Sequence, residues 1–345
     1  MTSLSRLSKP ATEAIGGTGP VGGVEPTAHA TIARTKRVMV WSVALLWLLD
    51  AVLQAQPRMF TLDFISNIMT PSVAISPSIF ANVANWTIAL ITPNISEWNW
   101  LFTTIQFAIA LALLIGLAGT NERFIKGGLI LSIVWGLGVW VVGEGTSGVF
   151  TGNGTLLTGA PGSVLLYVLI AAFYFFPDRW WNLTARFCPP RDALALVFLY
   201  GVVAQVLTRP FWGEQGIPSL LQGQTAMAPS WMVSTLSPAV RLTGHLPALW
   251  NAGFTVVMLA IAILMFGRRQ RVVGFVVLGI TLLVVWYWGQ ALGGIFSGMG
   301  TDLNTPPLFA VMAIPAWTIM RERTTAGRGQ LSRNTTPLEG KKVMA

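Results

Sequence analysis

Apolar residues gather into eight runs of near-membrane length, at 38–56, 101–118, 127–143, 163–177, 192–208, 250–266, 271–289 and 307–320, separated by polar stretches that contain Gly and Pro. A helix rising about 1.5 Å per residue needs about 20 apolar residues to cross a hydrocarbon core of about 30 Å. Inside that core the backbone must satisfy its own N–H and C=O groups, which open irregular chain cannot do. The pattern therefore predicts an all-α polytopic membrane protein with eight transmembrane helices. The first run begins only at residue 38, so residues 1–37 are expected to form a disordered cytoplasmic tail, and the first helix a retained anchor rather than a cleaved signal peptide. A second disordered tail is expected over 322–345.

The pattern also repeats. At a constant offset Trp140, Gly143, Gly148, Phe150, Gly152, Gly154, Thr155, Leu157 and Pro161 meet Trp286, Gly289, Gly294, Phe296, Gly298, Gly300, Thr301, Leu303 and Pro307. Upstream, with small gaps, Trp98, Asn99 and Phe102 meet Trp250, Asn251 and Phe254, while Gln54, Arg58 and Phe60 meet Gln205, Arg209 and Phe211. The chain reads as two tandem membrane repeats, 38–188 and 189–321, of four helices each. Four is even, so both repeats enter the membrane in the same direction and should be related by a pseudo-twofold axis along the membrane normal.

Composition narrows the class. Of 345 residues 53% are hydrophobic and 10% charged, against about 25% charged in soluble domains, which excludes an ordinary soluble protein. The net charge of +9 would suggest nucleic acid for a soluble chain. Here all 22 Lys and Arg except Arg58, Arg209 and Arg241 fall in the tails and in the loops on one side. By the positive-inside rule both termini are expected in the cytoplasm, the protein sitting in the plasma membrane with its basic residues against anionic headgroups. The expected partners are the lipid bilayer, a small solute or ion, and a second copy of the chain or a partner membrane protein; nucleic acid is not among them.

This orientation puts GEGTSGVFTGNGTLLTGAPG (143–162) and its counterpart GQALGGIFSGMGTDLNTPP (289–307) at the outer face. Glycine permits positive φ and close backbone approach, and irregular backbone at membrane depth is tolerated where protein or a watery cavity surrounds it. No GxxxxGK[ST] is present, so a phosphate cradle is not indicated. The long outer segments 57–98 and 209–249, with an interfacial helix expected over 79–91, are placed to cover these loops.

Ionisable groups inside apolar runs are costly and point to function. Asp50 lies one turn before Gln54; the counterpart of Gln54 is Gln205, whereas that of Asp50 is Gly201. Glu144 faces Gln290 in the alignment and Asp302 faces Leu156, so the two loops carry their carboxylates at non-equivalent positions. Thr155 and Thr301 share the GxGT ending, and Arg58 and Arg209 are equivalent cations that break the charge trend. The expected substrate-binding set is Glu144, Gln290, Asp302, Asp50, Gln54, Gln205, Arg58, Arg209, Thr155 and Thr301, arranged around an outward-facing vestibule between the repeats.

Metal and cofactor chemistry finds little support. The two histidines are His29 and His245 and the single cysteine is Cys188, which leaves no bis-His haem ligation or His-rich zinc site within the spans. Met59, Met69, Met227, Met232 and Met299 offer thioethers suited to Cu(I), but methionine serves more often as packing. No catalytic residues, metal or cofactor are therefore expected. The leading expectation is a multi-pass transporter or permease for a small solute or ion. A non-catalytic membrane subunit or assembly factor that docks a partner through its outer segments is the alternative. A membrane enzyme acting on a lipid or quinone comes third, with only carboxylates for acid–base work. A cysteine introduced at Gly119 should be labelled only from the cytoplasm, and one at Ser96 or Asn304 only from outside; labelling of both groups from one side would remove the eight-span topology.

Overall fold

A computed structural model describes residues 26–182, 188–266 and 271–318. Among these residues there is no strand, and thirteen α-helices follow one another. They are α1 (Pro26–Gln54), α2 (Leu62–Phe64), α3 (Thr70–Ala74), α4 (Ser78–Ile91), α5 (Ile95–Ala118), α6 (Glu122–Val142) and α7 (Ser163–Phe175). After the central connection come α8 (Pro189–Leu207), α9 (Ile217–Gln224), α10 (Ser230–His245), α11 (Pro247–Phe266), α12 (Arg271–Val284) and α13 (Thr305–Met312). Local chemistry sets several boundaries. Asn121 accepts the Arg123 N–H to cap α6, prolines occupy the first turns of α8, α9 and α13, and Pro177 holds Phe176 extended where α7 ends.

Six helical segments are long and apolar enough to cross a membrane: His29–Gln54, Ser78–Ala118, Glu122–Val142, Pro189–Leu207, Pro247–Phe266 and Val272–Gly289. The chain is thus a helical, membrane-embedded protein. Its outward surface bears Leu45, Ile115, Val134, Ile263 and Leu283, all exposed. In water such a surface would aggregate; against lipid it is matched to its solvent.

Two of the eight predicted runs fall short. The helix at 163–177 is 13 residues long, and the one at 307–320 is the eight-residue α13 followed by helical turns to residue 318. Thirteen residues span only about 20 Å. Both helices lie inside the bundle. Tyr167 of α7 stacks on Trp47 of α1 at 4.5 Å between ring centroids, and Phe309 of α13 packs on Phe198 of α8 at 5.7 Å.

The first helix starts earlier than predicted, at Pro26. Arg and Lys are good helix formers, and here they find partners. Arg37 donates to the Leu117 carbonyl at the end of α5, and Lys36 donates to the Phe176 carbonyl and to Asp178 at 3.0 Å. Cations at helix C-termini are favourable, and the Lys36 ammonium in turn holds Asp178 below the usual carboxylate range. Residues 1–25 and the tail predicted over 322–345 lie outside the described residues. The expected helix at 79–91 is α4; a 3-10 turn at Thr92–Asn94 separates it from α5.

Close contact between α5 and α6 depends on small residues. A Cβ added at Gly128 would stand 2.8 Å from Leu113 Cδ2, whereas one at neighbouring Gly127 would meet nothing. In lipid, where helices gain little by burying apolar surface, such contacts supply the packing that holds them together. Gly128→Val should therefore lower stability by about 1–3 kcal/mol, while Gly127→Val leaves it nearly unchanged, as read by thermal unfolding in detergent.

Candidate functional site

The site is built around two unusual turns. Gly145, Thr146, Ser147 and Gly148 follow α6 with φ of 58°, 55°, 52° and 68°, one residue after another in the left-handed region. Ala291, Leu292, Gly293 and Gly294 repeat the run after α12 with 44°, 57°, 74° and 66°. Gly152 and Gly298 then match at 74° and 73°. In each turn the first bond is the same: Ser147 N–H donates to the Glu144 carbonyl, and Gly293 N–H to that of Gln290. Left-handed conformations cost non-glycine residues about 1–2 kcal/mol each, so Thr146, Ser147, Ala291 and Leu292 are held there by their surroundings. Gly154 and Gly300 lie so close to the Ser147 and Gly293 carbonyls that a Cβ on either would collide with them.

The turn aims Glu144 back at the start of α7. Its Oε1 accepts from Ser163 Oγ at 2.6 Å and from the Val164 N–H at 3.2 Å, and its Oε2 accepts from Ser147 Oγ. Gly162, at φ 111°, leaves the room this approach needs. Helix N-termini favour such an anion. In the second turn Gln290 Nε2 donates instead to the Leu156 carbonyl and to Thr305 Oγ1, each at 3.2 Å.

The ends of α1 and α8 hold the opposite loops. Gln56 Nε2 donates to the Gly300 carbonyl and Arg58 Nη1 to that of Ser297. Reciprocally, Thr208 Oγ1 donates to the Gly152 carbonyl at 2.9 Å and the Tyr200 hydroxyl to that of Gly154 at 3.3 Å.

Between α1, α5, α6 and the second Gly-rich loop lies a cavity of about 290 Å³. Asp50, Glu144 and Asp302 line it, with Gln54, Gln106 and Thr301 beside them. Its walls include Trp47, Phe64, Phe102 and Trp135, and no Lys, Arg or His is among its lining residues. Asp50 is 2% exposed. Its Oδ2 accepts from the Tyr167 hydroxyl at 2.6 Å, and its Oδ1 has no hydrogen-bond partner among the described residues. Asp302 accepts from the Asn304 N–H and, at 3.2 Å, from Thr301 Oγ1. Gln106 Oε1 and Trp135 Nε1 are buried and likewise unpartnered.

The predicted residues divide into two groups. Asp50, Gln54, Glu144, Thr301 and Asp302 come together on the cavity. Gln205 does not; it donates to Asn251 Oδ1 at 2.5 Å, the same bond that Gln54 makes to Asn99 at 2.6 Å. Gln290 is buried between the loops, and Thr155 is buried with its backbone N–H bonded to Thr158 Oγ1. Arg58 pairs with Asp63 at 2.9 Å on the surface, and Arg209 is exposed. Neither Arg lines the cavity.

The reason the set is one-sided lies at the counterparts. Where Asp50 and Asp302 share a cavity, their aligned positions Gly201 and Leu156 touch directly. A Cβ on Gly201 would lie 2.6 Å from Leu156 Cγ, and Leu156 itself is buried. At these aligned positions a buried leucine packs against a glycine, where Asp50 and Asp302 line a cavity. Sequence reasoning missed Tyr167, Gln106, Trp135 and Ser163. Gln106 and Ser163 were visible as polar residues at or within apolar runs; Tyr167 and Trp135 were indistinguishable from ordinary aromatic packing. No family model, curated protein or solved structure matches the chain.

Glu144 stands two residues beyond the end of α6, with its remaining surface on the cavity rather than in bulk water. Desolvation, reinforced by the facing Asp302 carboxylate, raises its pKa from 4.5 to about 8. Asp302 is raised as well, again chiefly by desolvation. A raised folded-state pKa means the folded chain binds this proton more tightly than the unfolded chain. The stability that Glu144 contributes is then full below its ordinary pKa of 4.5 and is lost as the pH rises toward 8. The wild-type midpoint should fall more steeply across that window than that of Glu144→Gln; parallel curves would mean that Glu144 titrates as a surface carboxylate.

Proposed function

We propose that the chain is a multi-pass transporter or permease for a small solute or ion, with its site in the cavity lined by Asp50, Glu144 and Asp302. The observation that carries this reading is Asp50, a residue of a cavity lined by three acids and by no Lys, Arg or His, whose buried Oδ1 has no hydrogen-bond partner among the described residues. An isolated charge withdrawn from water is strongly unfavourable. A group retained there at such cost, at the depth of an apolar helix, fits a solute or ion site.

The architecture in this proposal is two tandem four-helix repeats, 38–188 and 189–321, entering the membrane in parallel, with both termini cytoplasmic in a plasma membrane. Three observations support the repeat. The two turns have matching positive φ over five aligned pairs, the Gln54–Asn99 and Gln205–Asn251 pairs form the same hydrogen bond, and each half's first helix holds the other half's loop. In the eight-crossing arrangement α7 and α13 complete their passage with the buried loops that precede them. The Gly-rich loops then lie at the outer end, and Lys36, Arg37 and Lys126 gather at the cytoplasmic end.

The test is counterflow into liposomes containing the purified chain, using cationic, neutral and anionic small solutes. Asp50→Asn should reduce uptake of the accepted solute by about tenfold or more, since 1.4 kcal/mol of lost interaction is a factor of ten. Absence of flux for every class, combined with a membrane protein that co-purifies stoichiometrically, would replace this reading with that of a non-catalytic subunit.

A further inference from the structure

We propose that the cavity takes a small organic monocation, an ammonium group carried on an apolar or aromatic body, with the ammonium at Asp50 Oδ1 and the body among the aromatic walls. The inference rests on the cavity being the solute site and adds the class of ligand.

Charge excludes the other organic classes first. Three carboxylates line the cavity without a Lys, Arg or His among the lining residues. A neutral ligand would leave a buried acid without an opposite charge, and an anion would find no cation among the lining residues to pair with. An ammonium supplies both the opposite charge and the N–H donors that the buried Oδ1 and Gln106 Oε1 lack among the described residues, side-chain rotation on the cavity wall bringing them to it.

Donor geometry argues against an inorganic cation. Divalent metals gather six or more oxygens, or a tight set of His, Cys and carboxylate ligands. Among the described residues no three His, Cys, Asp or Glu are placed to hold a metal ion. The Glu144 oxygens are already occupied by Ser163, Val164 and Ser147, and those of Asp302 by Asn304 and Thr301. Tyr167 takes the other oxygen of Asp50. What remains is one well-oriented carboxylate oxygen, which suits a single N–H donor group better than a coordination sphere.

Size and walls point the same way. A volume of about 290 Å³ equals the liquid share of roughly ten waters, far more than one ion fills, and sits at the lower end of small-molecule pockets. Trp47, Phe64, Phe102 and Trp135 present ring surface, and aromatic faces attract ammonium groups while burying an apolar body. The unpartnered Trp135 Nε1 offers one donor to a hydroxyl or carbonyl on that body. Among the described residues the aligned positions offer no equivalent site, because Leu156 packs against Gly201.

The full-length chain in detergent tests the proposal by thermal shift and tryptophan fluorescence. The probes are phenethylammonium, its neutral analogue 2-phenylethanol, its anionic analogue 3-phenylpropionate, and sodium and calcium chloride. Phenethylammonium should raise the unfolding midpoint saturably and quench tryptophan emission, and Asp50→Asn should weaken this binding roughly tenfold or more. Should that variant not fold, Gln106→Leu reads the same site and should weaken binding several-fold. Equal stabilisation by 2-phenylethanol, stabilisation by sodium or calcium alone, or unchanged affinity in the variants would overturn the organic-cation assignment. Ammonium binding without flux in liposomes would leave this assignment standing and remove the transport reading. Asp50-dependent flux of only neutral or anionic solutes would do the reverse.

Discussion

The four consecutive left-handed residues that follow α6 govern how the rest of this molecule can be built. They come directly after Glu144, whose carboxylate meets Ser163 and the Val164 N–H at the start of α7. Thr146 and Ser147 adopt positive φ against their intrinsic preference, and Gly145 and Gly148 flank them because a Cβ at either would collide with neighbouring backbone or side-chain atoms. The strain is sustained by the contacts around it: Trp140 Nε1 donates to the Pro161 carbonyl at 2.8 Å, and the end of α8 bonds the loop from the other half.

The same turn at the end of α12 shows what the backbone requires and what the side chains add. Both turns keep their φ sequence, yet one carries Glu144 and the other Gln290, and downstream one carries Leu156 and the other Asp302. The scaffold is shared and the chemistry is not. Asp50 and Asp302 line an acidic cavity, while the residues aligned with them in the sequence, Gly201 and Leu156, pack together. Glycine at 201 and leucine at 156 belong together, since any larger residue at 201 would displace the leucine.

Polar groups buried in this bundle fall into two physical classes. Gln54 with Asn99 and Gln205 with Asn251 are paired amides that bridge α1 to α5 and α8 to α11. In an apolar surrounding such bonds fix which helices meet and at what register. Asp50 is an acid on the cavity lining whose Oδ2 accepts from Tyr167 and whose buried Oδ1 has no hydrogen-bond partner among the described residues. Gln205 Oε1 and Asn251 Nδ2 are likewise buried without a partner among the described residues, so what sets Asp50 apart is its acidic group and its place on the cavity lining.

Much of this was determined by the sequence alone. Helical class and membrane residence follow from apolar run length, which is a local property. The likeness of the Gly-rich loops was visible in the sequence, and Gly148 and Gly294 share positive φ; Gln54 and Gln205 each bond an asparagine, but only Gln54 reaches the cavity. The sequence also singled out Asp50, Glu144 and Asp302, because charge in apolar context is visible without coordinates. Tertiary structure alone decided which of them meet. Asp302 is 252 residues from Asp50, and nothing local tells whether it faces that carboxylate or its own loop. Arg58, expected in the same binding set as the acids, pairs with Asp63 five residues away instead, and a nearby surface partner avoids the desolvation that a buried one would demand. The runs at 163–177 and 307–320 begin close to where α7 and α13 begin, but α7 stays short of membrane length and α13 breaks at Ala313, which the apolar pattern alone does not show.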